Sequence, residues 1–126
     1  MIGYSAYVML VVNNMERSTA FYRDVLGLNV RTQSPDWTEL EAGGIRVGLH
    51  STTDKLHVKP NESYGLGFYV DDIKKVHDTL KGRNVHFIRP PEKEDFGWLA
   101  VFTDPDGYHI DLCQLTPAEK ERTEAA

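Results

Sequence analysis

The chain is poor in cysteine. Cys113 is the only one among 126 residues, so an internal disulfide and any multi-cysteine metal site are excluded. A reducing, cytoplasmic setting is therefore expected. Basic charge is also scarce: 14 Lys and Arg stand against 19 Asp and Glu, a net charge of −5. That balance disfavours a nucleic-acid partner, which would call for basic patches. No apolar run is long enough to span a bilayer, so no membrane association is expected. The opening "MIGYSAYVMLVV" lacks a basic start and a small-residue cleavage site, and so does not resemble a secretory leader. What is present is ordinary. Forty per cent hydrophobic and 26% charged residues, in a chain of this length, suit one domain with a real core.

The order of elements carries more information. "YSAYVMLVV" predicts a strand. "NNMERSTAFYRDVLG" predicts a helix, with Asn13 or Asn14 as its cap, Met15, Ser18, Phe21 or Tyr22, and Val25 at helical spacing, and Gly27 in the left-handed position that ends it. "LNVRTQS" and "DWTELEA" predict short strands, and Gly43-Gly44 predicts a hairpin turn into "IRVGLHS". Residues 51–63 are polar, include Pro60, and read as a linker. The order then restarts. "YGLGFYV" is a strand, and "DDIKKVHDTLKG" is a helix capped by Asp71 or Asp72 and ended by Gly82. "NVHFIRP", "GWLAVFTD" and "YHIDLCQL" are strands, the last two joined by the "PDG" turn. The tail from Thr116 opens with a capping box, Thr116 to Glu119, with Pro117 at the first helical position.

The two halves repeat each other. Val12, Asn14 and Met15 match Val70, Asp72 and Ile73 at an offset of 58. Gly27 and Val30 match Gly82 and Val85 at 55, so the second helix is expected to be about three residues shorter. Gly44, Val47 and Leu49 match Gly107, Ile110 and Leu112 at 63. The expected architecture is α+β: two βαβββ modules packed side by side, each forming a curved mixed sheet around a cleft. They form a single domain over residues 1–126, with module one at about 4–50, the linker at about 51–63, module two at about 64–115 and a tail at 116–126.

"NNMERSTAFYRDVLGLNV", followed by "GLGFYVDDIKKVHDTL" and "VFTDPDGYHIDLCQ", resembles the vicinal oxygen chelate superfamily. That group includes glyoxalase I, extradiol dioxygenases, and fosfomycin- and bleomycin-resistance proteins. The match spans roughly residues 4 to 115. The resemblance implies paired βαβββ modules, a homodimer, and a site inside each curved sheet. In metal-dependent members four strand positions, drawn from His, Gln and Glu, hold the metal. Carried over, they fall on Tyr7, Gly48, Gly65 and Asp111. The repeat pairs the same positions, Tyr7 with Gly65 and Gly48 with Asp111. Two glycines supply no side-chain donor, and a phenol with one carboxylate falls short of three protein ligands. No metal and no cofactor are expected.

Strand alternation assigns a cleft face. It would carry Tyr7, Arg46, Gly48, His50, Gly65, Gly67, Tyr69, His109, Asp111 and Cys113, with Trp37, Trp98 and Phe102 as further aromatic wall. Glycines inside strands mark bulges or places where a ligand approaches, and three on one face suggest an emptied, widened cavity. The ligand-binding set is Tyr7, Trp37, Arg46, Gly48, His50, Gly65, Tyr69, His109 and Asp111. The blander alternative makes Arg46 a structural bridge to Asp111 or Glu39 and the aromatics plain core. The expected function is metal-independent binding of a small molecule, as in drug sequestration. Two alternatives stay open. One is a divalent-metal lyase or dioxygenase rebuilt on His50, His109 or Asp111, with Arg46 stabilising an oxyanion. The other is an interaction module without a small ligand. Catalytic residues and the charge of the ligand are left open by the sequence.

Overall fold

The computed structural model describes residues 2–3, 5–52 and 66–125. The chain divides into two compact units, Met1–Val58 and Lys59–Ala126. In the first, β1 (Tyr7–Val12) leads to α1 (Met15–Ala20), which continues as a π-helical turn over Phe21–Val25; β2 (Asn29–Gln33), β3 (Trp37–Ala42) and β4 (Ile45–Ser51) follow. The second repeats the order with β5 (Leu66–Tyr69), α2 (Ile73–Gly82), β6 (Phe87–Glu94), β7 (Gly97–Thr103) and β8 (His109–Leu115), and ends on α3 (Pro117–Ala125). Each unit holds a four-stranded mixed sheet, in the orders β1-β4-β3-β2 and β5-β8-β7-β6. β1 runs parallel to β4 and β5 parallel to β8, and the other pairings are antiparallel. This is the expected α+β fold of two βαβββ modules. The linker lies mostly outside the described residues, and its first residue, Ser51, completes β4.

The helices start where capping chemistry allows. Asn14 accepts the Arg17 N–H at 2.9 Å, and Asp72 accepts the Lys75 N–H at 3.1 Å. Their inner faces meet one face of each sheet. In the first unit that core holds Leu10, Val12, Tyr22, Leu40, Val47 and Leu49; in the second it holds Leu66, Ile73, Leu80, Ala100, Phe102, Ile110 and Leu112. Full burial of such a Leu, Ile, Val or Phe side chain contributes about 1.5–3 kcal/mol. Two buried hydroxyls satisfy each other, Thr19 Oγ1 donating to Thr38 Oγ1 at 3.2 Å.

The second helix ends differently from expectation. Gly82 is still helical, and Asn84, at φ 63°, takes the left-handed position that Gly27 takes at φ 82° in the first unit. The Leu28 N–H then returns to the Tyr22 carbonyl, and the Val85 N–H to that of Leu80. Leu28 and Val85 are both buried. The offset therefore falls only from 58 to 57. The first helix carries one extra residue, not three, and absorbs it in the π turn, where the Leu26 N–H bonds the Phe21 carbonyl. Asn tolerates the left-handed region because its short amide bonds locally, so the Gly82 signal was the weaker of two available.

β6 also runs further than the sequence predicts, through Pro90 and Pro91 to Glu94. It is an edge strand, where an N–H that points outward has no ladder bond to lose, and its pairing shifts between Phe87 and Arg89 and again between Arg89 and Glu92, which spans both prolines.

Candidate functional site

The face of each sheet opposite the helices carries the candidate residues, and alternation decides which they are. In the first unit, Tyr7 pairs with Arg46, Met9 with Gly48 and Val11 with His50. Across the other edge of β4, Glu41 pairs with Arg46, Glu39 with Gly48 and Trp37 with His50. The Trp37 indole lies directly over Gly48. A Cβ placed on Gly48 would stand 2.2 Å from Trp37 Cη2 and 2.4 Å from Cζ2. Tyr7 meets the same indole edge-on, with ring centroids 5.4 Å apart, and the His50 ring centroid lies 6.4 Å from that of Trp37. Gly48 is thus not an emptied position. The space that its missing side chain leaves is filled by a neighbouring ring. Arg46 reaches Glu39 at 3.4 Å, and Arg31 bonds Glu41 at 2.7 Å, so both guanidinium groups have carboxylate partners. Of the two partners expected for a structural bridge, Arg46 takes Glu39.

In the second unit, Gly67 pairs with Asp111 and Tyr69 with Cys113. Leu99 pairs with Cys113, Val101 with Asp111 and Thr103 with His109. Three residues of β8 therefore share one face, as alternation predicts. The turn before β8 is fixed by Asp104, which is buried. Its carboxylate accepts the N–H groups of Asp106 at 3.0 Å and Tyr108 at 2.8 Å. Gly107, at φ 93°, closes the turn. A groove of about 350 Å³ opens on this face, lined by Gly67, Phe68, Tyr69, Phe96, Leu99, Asp111 and Cys113. Its walls withdraw water from Asp111 and push its carboxyl above the usual range, while the charges of His109 and Arg89 pull it partly back. Burial, and then Asp111, push the Cys113 thiol up, away from thiolate character. Arg89, on β6 beyond β7, is held by Glu94 and by Glu92 at 3.3 Å.

Trp98 and Phe102 do not belong to this wall. Trp98 pairs with Gln114 and Phe102 with Ile110, which puts both on the helix-facing side; Phe102 is fully buried there. A one-residue difference in where β7 begins moves every side chain of the strand to the other face. Gly65 lies outside the described residues. Phe96, Leu99 and Arg89 are the residues that sequence reasoning missed. Leu99 follows at once when Trp98 is placed on the helix side. His77 packs its ring on Phe87 at 4.5 Å, a core contact, and His57 lies outside the described residues.

The residues present do not fit the family's metal. Position 48 is occupied by an indole and offers no donor, Tyr7 is engaged with that indole, and glycine at 65 has no side chain. Among the described residues, no group of three or more His, Cys, Asp or Glu is placed to hold a metal ion. Nor is any helix among them long and apolar enough to cross a membrane.

Comparison with known proteins gives the family and the fold. The family described as the Glyoxalase/Bleomycin resistance protein/Dioxygenase superfamily matches residues 5–112. A lactoylglutathione lyase of Neisseria meningitidis is 30% identical over 86% of this chain and 88% of its own length. A probable lactoylglutathione lyase of Synechocystis is 27% identical over 87% and 94%. Among solved structures, a superfamily member from Sphaerobacter thermophilus superposes with a TM-score of 0.72 at 25% identity, covering 90% of this chain and 98% of its own. An antibiotic binding protein from Streptomyces shares the fold with a TM-score of 0.69 at 24% identity, covering 92% and 100%. With its paired βαβββ modules and its candidate residues on the open face of each sheet, the chain belongs to the glyoxalase/bleomycin resistance protein/dioxygenase superfamily.

Proposed function

We propose that this protein binds a small organic molecule without the help of a metal, and that it sequesters a drug or metabolite. The observation that carries this reading is the Trp37 indole seated on Gly48. A position that would carry a metal donor carries an aromatic surface instead. Tyr7, Trp37, Arg46, Gly48 and His50 on one sheet, and Tyr69, His109 and Asp111 on the other, are the proposed ligand-binding residues, together with Gly65. An apolar wall with a few oriented polar groups is the usual chemistry of such sites. The Streptomyces relative that binds an antibiotic supports the same reading. A homodimer in a cytoplasmic setting is part of the proposal, and light scattering on the purified protein tests the oligomeric state.

Elemental analysis of untagged protein tests metal independence. The expected result is no stoichiometric zinc, nickel, manganese or iron, and a melting curve that a panel of divalent ions leaves in place. A second reading is favoured by the relatives that are lactoylglutathione lyases. It makes the chain a metal-dependent lyase rebuilt around Asp111. It expects a divalent ion to raise the melting temperature and Asp111→Ala to abolish the rise. That result would replace the first reading.

A further inference from the structure

We propose that the groove on the second sheet takes an arylalkyl amine, that is, an aromatic ring with a cationic nitrogen close by. The inference rests on the small-molecule reading and gives it a ligand class. Among the described residues, Asp111 is the only charged one in the lining of the 350 Å³ groove. Gly67, its partner on β5, leaves the flank of that carboxylate open. A Cβ there would come within 3.4 Å of the Asp111 Cβ. Two large aromatic side chains line the groove and remain exposed, Tyr69 at 69% and Phe96 at 37%.

The surrounding charge has the matching sign. Arg89 stands on β6, beyond β7 from Asp111, and Glu92 and Glu94 already hold it. The Arg89 charge reaches Asp111 only at a distance and is shared with those two carboxylates. His109 lies two residues along β8 on the same face. An anionic ligand would meet Asp111 with like charge. A neutral ring would take water from the carboxylate and give it no partner. An ammonium group satisfies the carboxylate with a charge-assisted hydrogen bond, while its ring covers Tyr69 and Phe96, and ring surface itself attracts a cation.

Three probes with one ring system test this: naphthylmethylammonium, naphthylmethanol and naphthylacetate. Binding to the full chain is read from amide shifts of Phe96, Leu99 and Cys113, and from protection of Cys113 against alkylation by iodoacetamide. The ammonium is expected to bind about tenfold tighter than the alcohol, and the acetate weakest of the three. Asp111→Asn, close to isosteric, should reduce the preference for the ammonium over the alcohol to within about twofold, chiefly by weakening the ammonium. Tyr69→Ala should weaken all three. If the alcohol or the acetate equals the ammonium in the groove, the amine assignment is overturned and small-molecule binding stands. If none of the probes shifts or protects these residues, the assignment fails and small-molecule binding at this groove fails with it.

Discussion

Replacing Gly48 by alanine tests the contact on which the metal-free reading rests. The new methyl group would lie 2.2 and 2.4 Å from the far edge of the Trp37 indole and 3.1 Å from its Cζ3. The ring must swing away, losing its edge-on contact with Tyr7 and its place beside His50. Overpacking of this kind costs about 1–3 kcal/mol, part of it the aromatic pair itself, worth about 0.5–1.5 kcal/mol. In a Trp37→Ala background the methyl meets no ring. Alanine should then stabilise the strand by about 0.5–1 kcal/mol, because glycine in a strand interior has more backbone freedom to lose. The two substitutions should therefore couple by about 2–3 kcal/mol. Urea denaturation of the four proteins measures this, and the single Gly48→Ala change should lower the melting temperature by roughly 8 °C, at about 4 °C per kcal/mol for a chain of this length. An equal cost of Gly48→Ala in both backgrounds would refute the account of Trp37 as the occupant of position 48.

Other consequences are more local. Gly97→Ala should cost more than about 3 kcal/mol or abolish folding, because its Cβ would lie 2.0 Å from the Gln114 carbonyl oxygen and its φ is +143°; expression and circular dichroism would reveal it. Asp111→Asn should raise stability modestly at pH 7. The carboxyl is held above its ordinary value of 3.8 in the fold, so its ionisation opposes folding. That opposition is absent below the unfolded value, grows as pH rises through it, and is complete above the folded value. The gain should therefore vanish in acid, and a gain that persists below pH 3.8 would contradict the burial argument. Cys113 should react with iodoacetamide more slowly than a free thiol at pH 7 and approach it only in strongly alkaline solution, since its thiol is pushed up.

The architecture was largely legible because it rests on signals that repeat. Caps at Asn14 and Asp72, glycines at 43, 44 and 107, and period-two alternation in β4 and β8 each have one structural meaning. The exceptions are instructive. Asn84 ends α2 in place of Gly82, because asparagine as well as glycine can hold a left-handed backbone. Trp98 and Phe102 were expected on the open face because β7 begins in irregular sequence, and alternation has no anchor until the starting residue is known. At the site, the sequence placed Tyr7, Gly48, Tyr69 and Asp111 on the open faces, but glycine alone does not tell whether its space is empty or taken. Trp37 takes it at Gly48, and that depends on a ring from the neighbouring strand, whose direction no pattern along the chain encodes.

The outer strand of the second sheet has a consequence for how copies of this protein behave when crowded. An exposed strand edge offers a row of donors and acceptors on which another chain can build, and such growth leads to fibres. β6 breaks that row repeatedly. The Pro90-Pro91 pair removes an outward N–H, the two shifts in pairing disturb the regular spacing, and Glu92, Lys93 and Glu94 crowd the end with charge. A molecule approaching this border finds no ladder to extend. The cluster of prolines and charges closes this border of the sheet.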